Sequence, residues 1–167
     1  NGCVWDFLRG ADLLLAIGFD AVELIKPWSL TAPTIHIDSV PNTDQVYGAE
    51  IEIVGDIGAI LDAISDAGIG GERWSHAEIA THRARLRELY GAGRVSGRMN
   101  PSDVVDVVRA AMPADTIVST DVGSHKLLVG QGWTAHTPRS VLMSNGLSSM
   151  GFSLPAAITA KLICPQQ

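Results

Sequence analysis

The sequence predicts an α/β protein in which two sheet-containing pieces flank a charged helical segment. Short apolar runs that stop at Gly, Asp or Pro alternate with stretches of helical periodicity, which is the pattern of open parallel sheets. Residues 66–98, between these pieces, hold six of the chain's arginines. We therefore predict two partial open parallel-sheet pieces of the Rossmann-like type, over residues 1–65 and 99–167, joined by a charged helical linker.

Three short strands and one helix are predicted in the first piece. The strands lie at 13–17, 34–38 and 50–54, and the first is apolar throughout, as in a strand buried on both faces. Helical spacing follows in the apolar residues Ile57, Ile60, Leu61 and Ile64. The glycine-rich run at 68–71 predicts the end of this helix.

The linker is predicted to contain a solvated helix. Ser75 and Glu78 have the spacing of a capping box, so we expect a helix from there to about Tyr90. An arginine-rich nucleic-acid patch is the alternative. The interleaved Glu residues and the net charge of −6 favour the solvated helix.

The second piece begins with a capped helix and continues with two strand-to-helix units. Asn100 suits the N-cap, and Asp103 suits the first turn beside the helix dipole. Strands are predicted at 116–120 and 139–143, with a helix over 152–162 after the second. The buried face of the first helix is predicted from its apolar residues, Val104, Val105, Val108, Ala111 and Met112.

Composition argues against several classes of protein. With 46% hydrophobic and 18% charged residues, the chain can bury a core. No apolar stretch approaches the ~18–20 residues of a membrane span, and no signal peptide is evident. Two isolated cysteines, Cys3 and Cys164, suggest neither a disulfide framework nor a zinc site, so a reduced cytoplasmic protein is expected.

Two polar loops, at 121–125 and 144–151, each lie between a predicted strand and a predicted helix. Ligands of open parallel sheets bind at the carboxyl ends of strands, and helix N-termini attract phosphate. Ser124 and His125 could donate to phosphate oxygens, with Lys126 close in sequence. All 18 acidic residues lie at or before position 121, which suits an anion site beyond it. Chance, and ordinary loops with a capping Ser, are the alternatives.

Three other motifs carry less weight. Residues 130–135 fit the dinucleotide pattern G-x-G-x-x-A, but no acid follows to bind a ribose. Residues 146–151 fail the G-x-S-x-G pattern of a hydrolase nucleophile for both serines. His76 and His82 do not share a helix face, and His36 is interpreted as a strand histidine, so no metal site is predicted.

The sequences Thr-Asp-Val-Gly-Ser-His at 120–125 and Ser-Asn-Gly-Leu-Ser-Ser-Met-Gly at 144–151 occur in this order, with Pro-Arg and a strand between them. This arrangement resembles thiamine diphosphate enzymes of the acetolactate synthase group. The first piece contains three segments that resemble the C-terminal end of that family's central domain, at residues 11–18, 35–38 and 53–56. The resemblance covers nearly the whole chain apart from the linker.

The resemblance implies what each piece is and which residues meet the cofactor. Residues 1–65 would be the C-terminal half of the central domain, and 99–167 the truncated N-terminal part of the cofactor-binding domain. Diphosphate contacts would come from the first loop: Val122, Gly123, Ser124 and His125. Ser148 would meet the aminopyrimidine through its backbone carbonyl, and Met150 would be the apolar wedge that keeps the cofactor bent.

The function implied by the resemblance is carboligation with thiamine diphosphate and Mg²⁺. Pyruvate would be decarboxylated and its two-carbon unit transferred to a second 2-keto acid, as in branched-chain amino acid biosynthesis. The magnesium ligands and the catalytic Glu would lie outside residues 1–167, so the chain is expected to be inactive alone. A homo-oligomer is expected, with no nucleic-acid or membrane partner. The alternatives are another 2-keto acid decarboxylase and a non-catalytic phosphate- or nucleotide-binding module.

The sequence departs from the family pattern at several positions. Many members have Gln where Ser124 stands and Gly where Asn145 or Ser148 stands. Residues 18–23 lack the Arg-Phe-Asp-Asp-Arg run of flavin-dependent members. With Lys26, Pro27 and Trp28, the chain is similar to the flavin-free catabolic enzymes. FAD is therefore not expected.

Overall fold

The computed structural model describes residues 2–19, 21, 27–43, 46–68 and 74–167. It divides the chain into two compact units, Asn1–Arg83 and Ala84–Gln167, each with its own parallel sheet. The boundary between the units lies inside residues 66–98, the segment predicted as a linker. The limits of the domains on either side remain a prediction. The α/β class with two small open parallel sheets is confirmed. Positions 20, 22–23 and 26, used in the flavin comparison, and 69–73, at the predicted helix end and linker, lie outside the described residues.

The first unit is a three-stranded parallel sheet with strand order β1-β2-β3. Its elements are α1 (Gly2–Leu8), β1 (Leu14–Ile17), β2 (Thr34–Asp38), β3 (Ile51–Val54) and α2 (Ile57–Asp66). The three strands and α2 follow the predictions to within a residue at their starts. The short helix α1 was not predicted from the sequence.

The second unit contains a two-stranded parallel sheet, β4-β5. Its elements are α4 (Pro101–Ala111), β4 (Val118–Thr120), α5 (Ser124–Gly132), β5 (Val141–Met143) and α6 (Ser153–Ile163), and α3 (His76–Gly91) crosses the boundary between the units. Both strands are shorter than predicted, whereas α6 begins one residue from the predicted start.

Local capping explains where the helices begin. The Ser75 hydroxyl accepts from the Glu78 N–H at 3.2 Å, and the Glu78 carboxylate accepts from the Ser75 N–H at 2.8 Å. This confirms the predicted capping box at the start of α3. The Asp103 carboxylate likewise accepts from the Asn100 N–H at 2.9 Å, as expected for the start of α4.

Two expectations of burial were wrong. In β1, Leu15 is 51% exposed, and Ala16 is the buried residue of the strand. The strand lies at the edge of a three-stranded sheet, so it is not buried on both faces. In α4, Val104 and Val108 are 46% and 44% exposed because they line an open groove rather than a packed core.

The core of the first unit contains a buried polar pair beside the apolar Ile37. His36, on β2, is buried, and its Nδ1 pairs with the Tyr47 hydroxyl at 2.7 Å while its Nε2 pairs with the Val40 carbonyl at 2.9 Å. Both ring nitrogens are therefore satisfied, which confirms His36 as a strand histidine. The Trp28 ring packs on Tyr47 with centroids 4.9 Å apart, and burial raises the pKa of the Tyr47 hydroxyl.

Cys3 and Cys164 are free thiols. Among the described residues, no helix has the length and apolarity that crossing a membrane requires. Within the same residues, His, Cys, Asp and Glu side chains form no group of three or more that could hold a metal ion.

Gly132, at the end of α5, is needed because the Tyr90 ring occupies the space of a side chain; an added Cβ would overlap that ring. We expect Gly132→Ala to lower the free energy of unfolding by about 1–3 kcal/mol. Gly130→Ala, on the same helix, would make ordinary contact with Met143 at 3.5 Å and should be neutral or stabilising. Urea denaturation measures both, and equal effects would contradict the Tyr90 contact.

The Asp106 carboxylate, on α4, accepts from Arg87 of α3 and from Arg94, which follows that helix, each at 2.5 Å. The Arg87 hydrogen bond, followed by that of Arg94, lowers the pKa of Asp106. A lowered pKa stabilises the folded state above about pH 4 and loses this contribution as the pH falls through the folded value. Asp106→Asn should therefore cost about 1 kcal/mol at pH 7 and progressively less towards pH 2.5.

Asp115→Asn, in the exposed turn after α4, is the matched control. Urea unfolding of both variants across pH 7 to 2.5 provides the measurement. A cost for Asp106→Asn that does not change with pH would refute the ion-pair explanation.

Candidate functional site

The parallel pairing of β4 and β5 brings the two polar loops to one edge of the sheet. Val118 lies opposite Val141, and Thr120 opposite Met143, so both strands end at the same level. The loops that follow, 121–123 and 144–152, therefore leave the same edge, as the sequence predicted.

Asp121 connects the first loop to the start of α6. Its Oδ1 accepts from the Phe152 and Ser153 N–H groups at 2.8 and 3.3 Å, and its Oδ2 accepts from the Gly151 N–H at 3.1 Å. Behind it, the Ser119 hydroxyl donates to the Ser153 carbonyl at 2.9 Å. The carboxylate thus satisfies N–H groups that a helix N-terminus leaves unpaired.

Lys126 connects α5 to the beginning of the second loop. Its ammonium donates to the Ser144 carbonyl at 2.7 Å and lies 3.3 Å from the Ser148 hydroxyl. The Ser148 hydroxyl also donates to the Ser144 carbonyl, and the Ser149 N–H donates to the Ser144 hydroxyl, both at 3.2 Å. Lys126, considered from the sequence as a phosphate donor, thus fixes the second loop.

The first-loop residues form the N-terminus of α5. Gly123 is the N-cap, with φ 137°, and Ser124 is the first helical residue, so the alternative of a capping Ser is wrong here. Ser124 and His125 are exposed, and Val122 is half-buried. The His125 ring lies against Gly123, since a Cβ there would come within 2.9 Å of it.

His125 also lines an apolar groove of about 500 Å³ between α4 and α5. Val104, Val105, Val108 and Trp133 contribute to its walls. His125 therefore stands between the polar N-terminus of α5 and an apolar surface.

The second loop presents its apolar side chains to the outside. Met150 is 86% exposed and Leu147 is 99% exposed, which argues against Met150 as a core-filling residue. Ser148 is half-buried and adopts a left-handed backbone with φ 46°. The six predicted cofactor residues thus lie in the two loops and in the first turn of α5, at one sheet edge.

The donor set of these loops suits a phosphate group better than a metal ion. The N–H groups in the first turn of α5, with the Ser124 and His125 side chains, can all donate to phosphate oxygens. No Asp or Glu follows Asp121, and both Asp121 oxygens already accept hydrogen bonds. These residues therefore fit a diphosphate, and they do not supply a magnesium ligand set.

Residues 121–167, which contain both loops, match the family described as thiamine pyrophosphate enzyme, C-terminal TPP binding domain. The catabolic acetolactate synthase of Raoultella terrigena is 33% identical over 96% of this chain. The chain is thus similar to acetolactate synthases over nearly its whole length, and its last 47 residues match the thiamine pyrophosphate-binding family. The resemblance seen in the sequence is thereby confirmed.

Other relatives cover the chain to a similar extent. The acetolactate synthase of Bacillus subtilis is 27% identical over 95% of the chain, and a probable 2-ketoarginine decarboxylase of Pseudomonas aeruginosa is 29% identical over 98%. The chain spans about 30% of the length of the Raoultella and Pseudomonas proteins and 29% of the Bacillus protein.

Sequence reasoning missed the roles of Asp121 and Lys126 in joining the two loops. The capping role of Asp121 was not predicted, because its partners begin 30 residues further along the chain and no local pattern reveals them. One signal in the sequence could have indicated the capping role of Asp121. No acidic residue follows it, so helix α6 has no acidic residue in its own first turn.

The left-handed backbone of Ser148 gives a test of the second loop. A β-branched residue is strained at φ 46°, so Ser148→Val should cost about 1–2 kcal/mol. Ser148→Gly loses the hydroxyl contact with Ser144 but relieves the backbone, so its net effect should stay within about 1 kcal/mol. Thermal unfolding compares the variants, and a Val variant as stable as the Gly variant would contradict the geometry.

Proposed function

We propose that this protein acts in thiamine diphosphate-dependent carboligation of the acetolactate synthase type, decarboxylating pyruvate and transferring the two-carbon unit to a second 2-keto acid. The observation that carries the proposal is the meeting of the two family loops at one sheet edge, tied together by Asp121. When bound, thiamine diphosphate supplies the electron sink for decarboxylation.

The first loop is proposed to bind the diphosphate. N–H groups at the start of α5 favour an anion through their partial positive charge, and Ser124 and His125 add exposed donors beside them. Gly123, with φ 137°, has no Cβ of its own, which lets its backbone approach a phosphate closely while the His125 ring lies beside it.

The second loop is proposed to hold the organic part of the cofactor. Met150 is exposed and apolar, so it can pack against a ring without first leaving a protein core. The Ser148 carbonyl is assigned to the aminopyrimidine by analogy with the family.

The remaining parts of the proposal concern the whole protein. Mg²⁺ would neutralise the diphosphate with ligands outside residues 1–167, and a catalytic Glu would come from elsewhere too, so these residues alone are proposed to be inactive. FAD is not required in this proposal. The protein is proposed to be a cytoplasmic homo-oligomer whose partner is a small 2-keto acid, rather than nucleic acid or a membrane.

A 2-keto acid decarboxylase is the second candidate, supported by the match to a probable 2-ketoarginine decarboxylase over 98% of the chain. The two candidates share the cofactor and the first decarboxylation, and they differ in the fate of the two-carbon unit. Product analysis after incubation with pyruvate and thiamine diphosphate separates them, because a carboligase yields acetolactate and a decarboxylase yields free aldehyde.

Cofactor titration tests the proposed site. In the active enzyme, His125→Ala should weaken thiamine diphosphate binding about tenfold while changing turnover at saturating cofactor much less, because a phosphate donor acts on the bound ground state. Met150→Ala should instead lower turnover, because it changes the shape in which the cofactor is held. Isothermal titration calorimetry and pyruvate consumption are the measurements.

Matched variants keep this test specific. His136→Ala removes an exposed histidine outside both loops, and Leu147→Ala removes an exposed apolar side chain from the same loop as Met150. Both should behave as the wild type. Unchanged cofactor affinity in His125→Ala, or normal turnover in Met150→Ala, would remove that residue from the proposed site.

A further inference from the structure

The start of α6 is capped by a residue from a different strand-to-helix unit. Phe152, its N-cap residue, makes no side-chain capping hydrogen bond. Asp121 supplies the cap instead, accepting from Gly151, Phe152 and Ser153 with both carboxylate oxygens. Gly151 is the residue directly after Met150, so the contact lies next to the proposed cofactor wedge.

The second loop is therefore held at both ends and open in the middle. At its beginning the Lys126 ammonium donates to the Ser144 carbonyl at 2.7 Å, and at its end Asp121 holds the Gly151 N–H at 3.1 Å. Between these points Leu147 is 99% exposed, and Met150 is 86% exposed. Because the Met150 side chain is mostly exposed, its position depends on the backbone of the second loop.

The Asp121 carboxylate also places negative charge at the N-terminus of α6. Negative charge already occupies the N-terminus of α6, where a second anion would meet like charge. The N-terminus of α5 has Gly123 as its cap and no acidic residue in its first turn. A diphosphate therefore meets favourable partial charge at α5 rather than at α6.

We propose that Asp121 is a positioning residue: by capping α6 it fixes Met150 over the site and reserves the N-terminus of α5 for the diphosphate. This proposal rests on the proposed function for the role of Met150, whereas the cap itself does not. Asp121 touches neither cofactor nor substrate in this account and is not a magnesium ligand.

Amide hydrogen exchange tests the cap directly. Asp121→Ala should raise exchange at Gly151, Phe152 and Ser153 about tenfold, because three N–H groups lose a charged acceptor. Asp121→Asn keeps one acceptor oxygen and should give a smaller increase, and it serves if the Ala variant fails to fold. Asp115→Ala removes an exposed acid outside the loops and should leave exchange at these amides unchanged.

Turnover measurements test whether the Asp121 cap acts through Met150. In the active enzyme, Asp121→Ala should lower turnover at saturating thiamine diphosphate about tenfold, with Asp121→Asn restoring part of it. In a Met150→Ala background the same substitution should change turnover less than twofold, because both act through one side chain. The Mg²⁺ concentration giving half-maximal activity should stay within about twofold of the wild type, since metal ligation is not lost.

Each outcome decides part of the proposal. Unchanged exchange in Asp121→Ala overturns the cap. Faster exchange with normal turnover, or fully additive effects of Asp121→Ala and Met150→Ala, overturns the positioning role. A tenfold higher Mg²⁺ requirement in Asp121→Asn replaces it with metal ligation. If the wild type binds no thiamine diphosphate, the proposed function and the cofactor role of the cap both fail, while exchange still decides whether the cap exists.

Discussion

The parallel pairing of β4 with β5 is the constraint on which the candidate site depends. Three residue pairs set its register, from Val118 opposite Val141 to Thr120 opposite Met143. A sheet of two such short strands is weakly determined by its own ladder. Side-chain contacts outside the ladder therefore have to hold the loops, and Asp121, Lys126 and Ser119 make them.

These contacts give the N-termini of α5 and α6 different roles. Both helices follow parallel strands and both offer N–H groups at the same sheet edge. At α6 those groups are satisfied by a carboxylate of the protein, which fixes the second loop. At α5 the cap is Gly123, and exposed Ser124 and His125 surround a surface suited to an anion. The proposed binding of a diphosphate at one end of the site and a planar ring at the other needs this asymmetry.

Local chemistry explains how much of the fold could be predicted from the sequence. The capping pair of Ser75 and Glu78, the periodicity of α2 and the apolar runs of the strands are local signals, and the structure contains the elements they indicate. Burial was predicted less well, because the exposure of Leu15 depends on where β1 lies in its sheet, which no local pattern encodes.

The candidate site shows the same limit. The two loops could be located from the sequence because each follows a strand, and the family motifs mark them. Their cross-links could not, since Asp121 and the amides of α6 are far apart in sequence and are brought together by the pairing of β4 with β5. The helix α1 was missed because its seven residues carry no capping signal that distinguishes them from a loop.

The most direct measurement is a crystal structure of the active enzyme with thiamine diphosphate bound. We expect the diphosphate against the first turn of α5, within hydrogen-bond distance of Ser124 or His125, with Asp121 still accepting from residues 151–153. A diphosphate bound at the start of α6 with Asp121 displaced from it, or a cofactor bound away from both loops, would contradict the account.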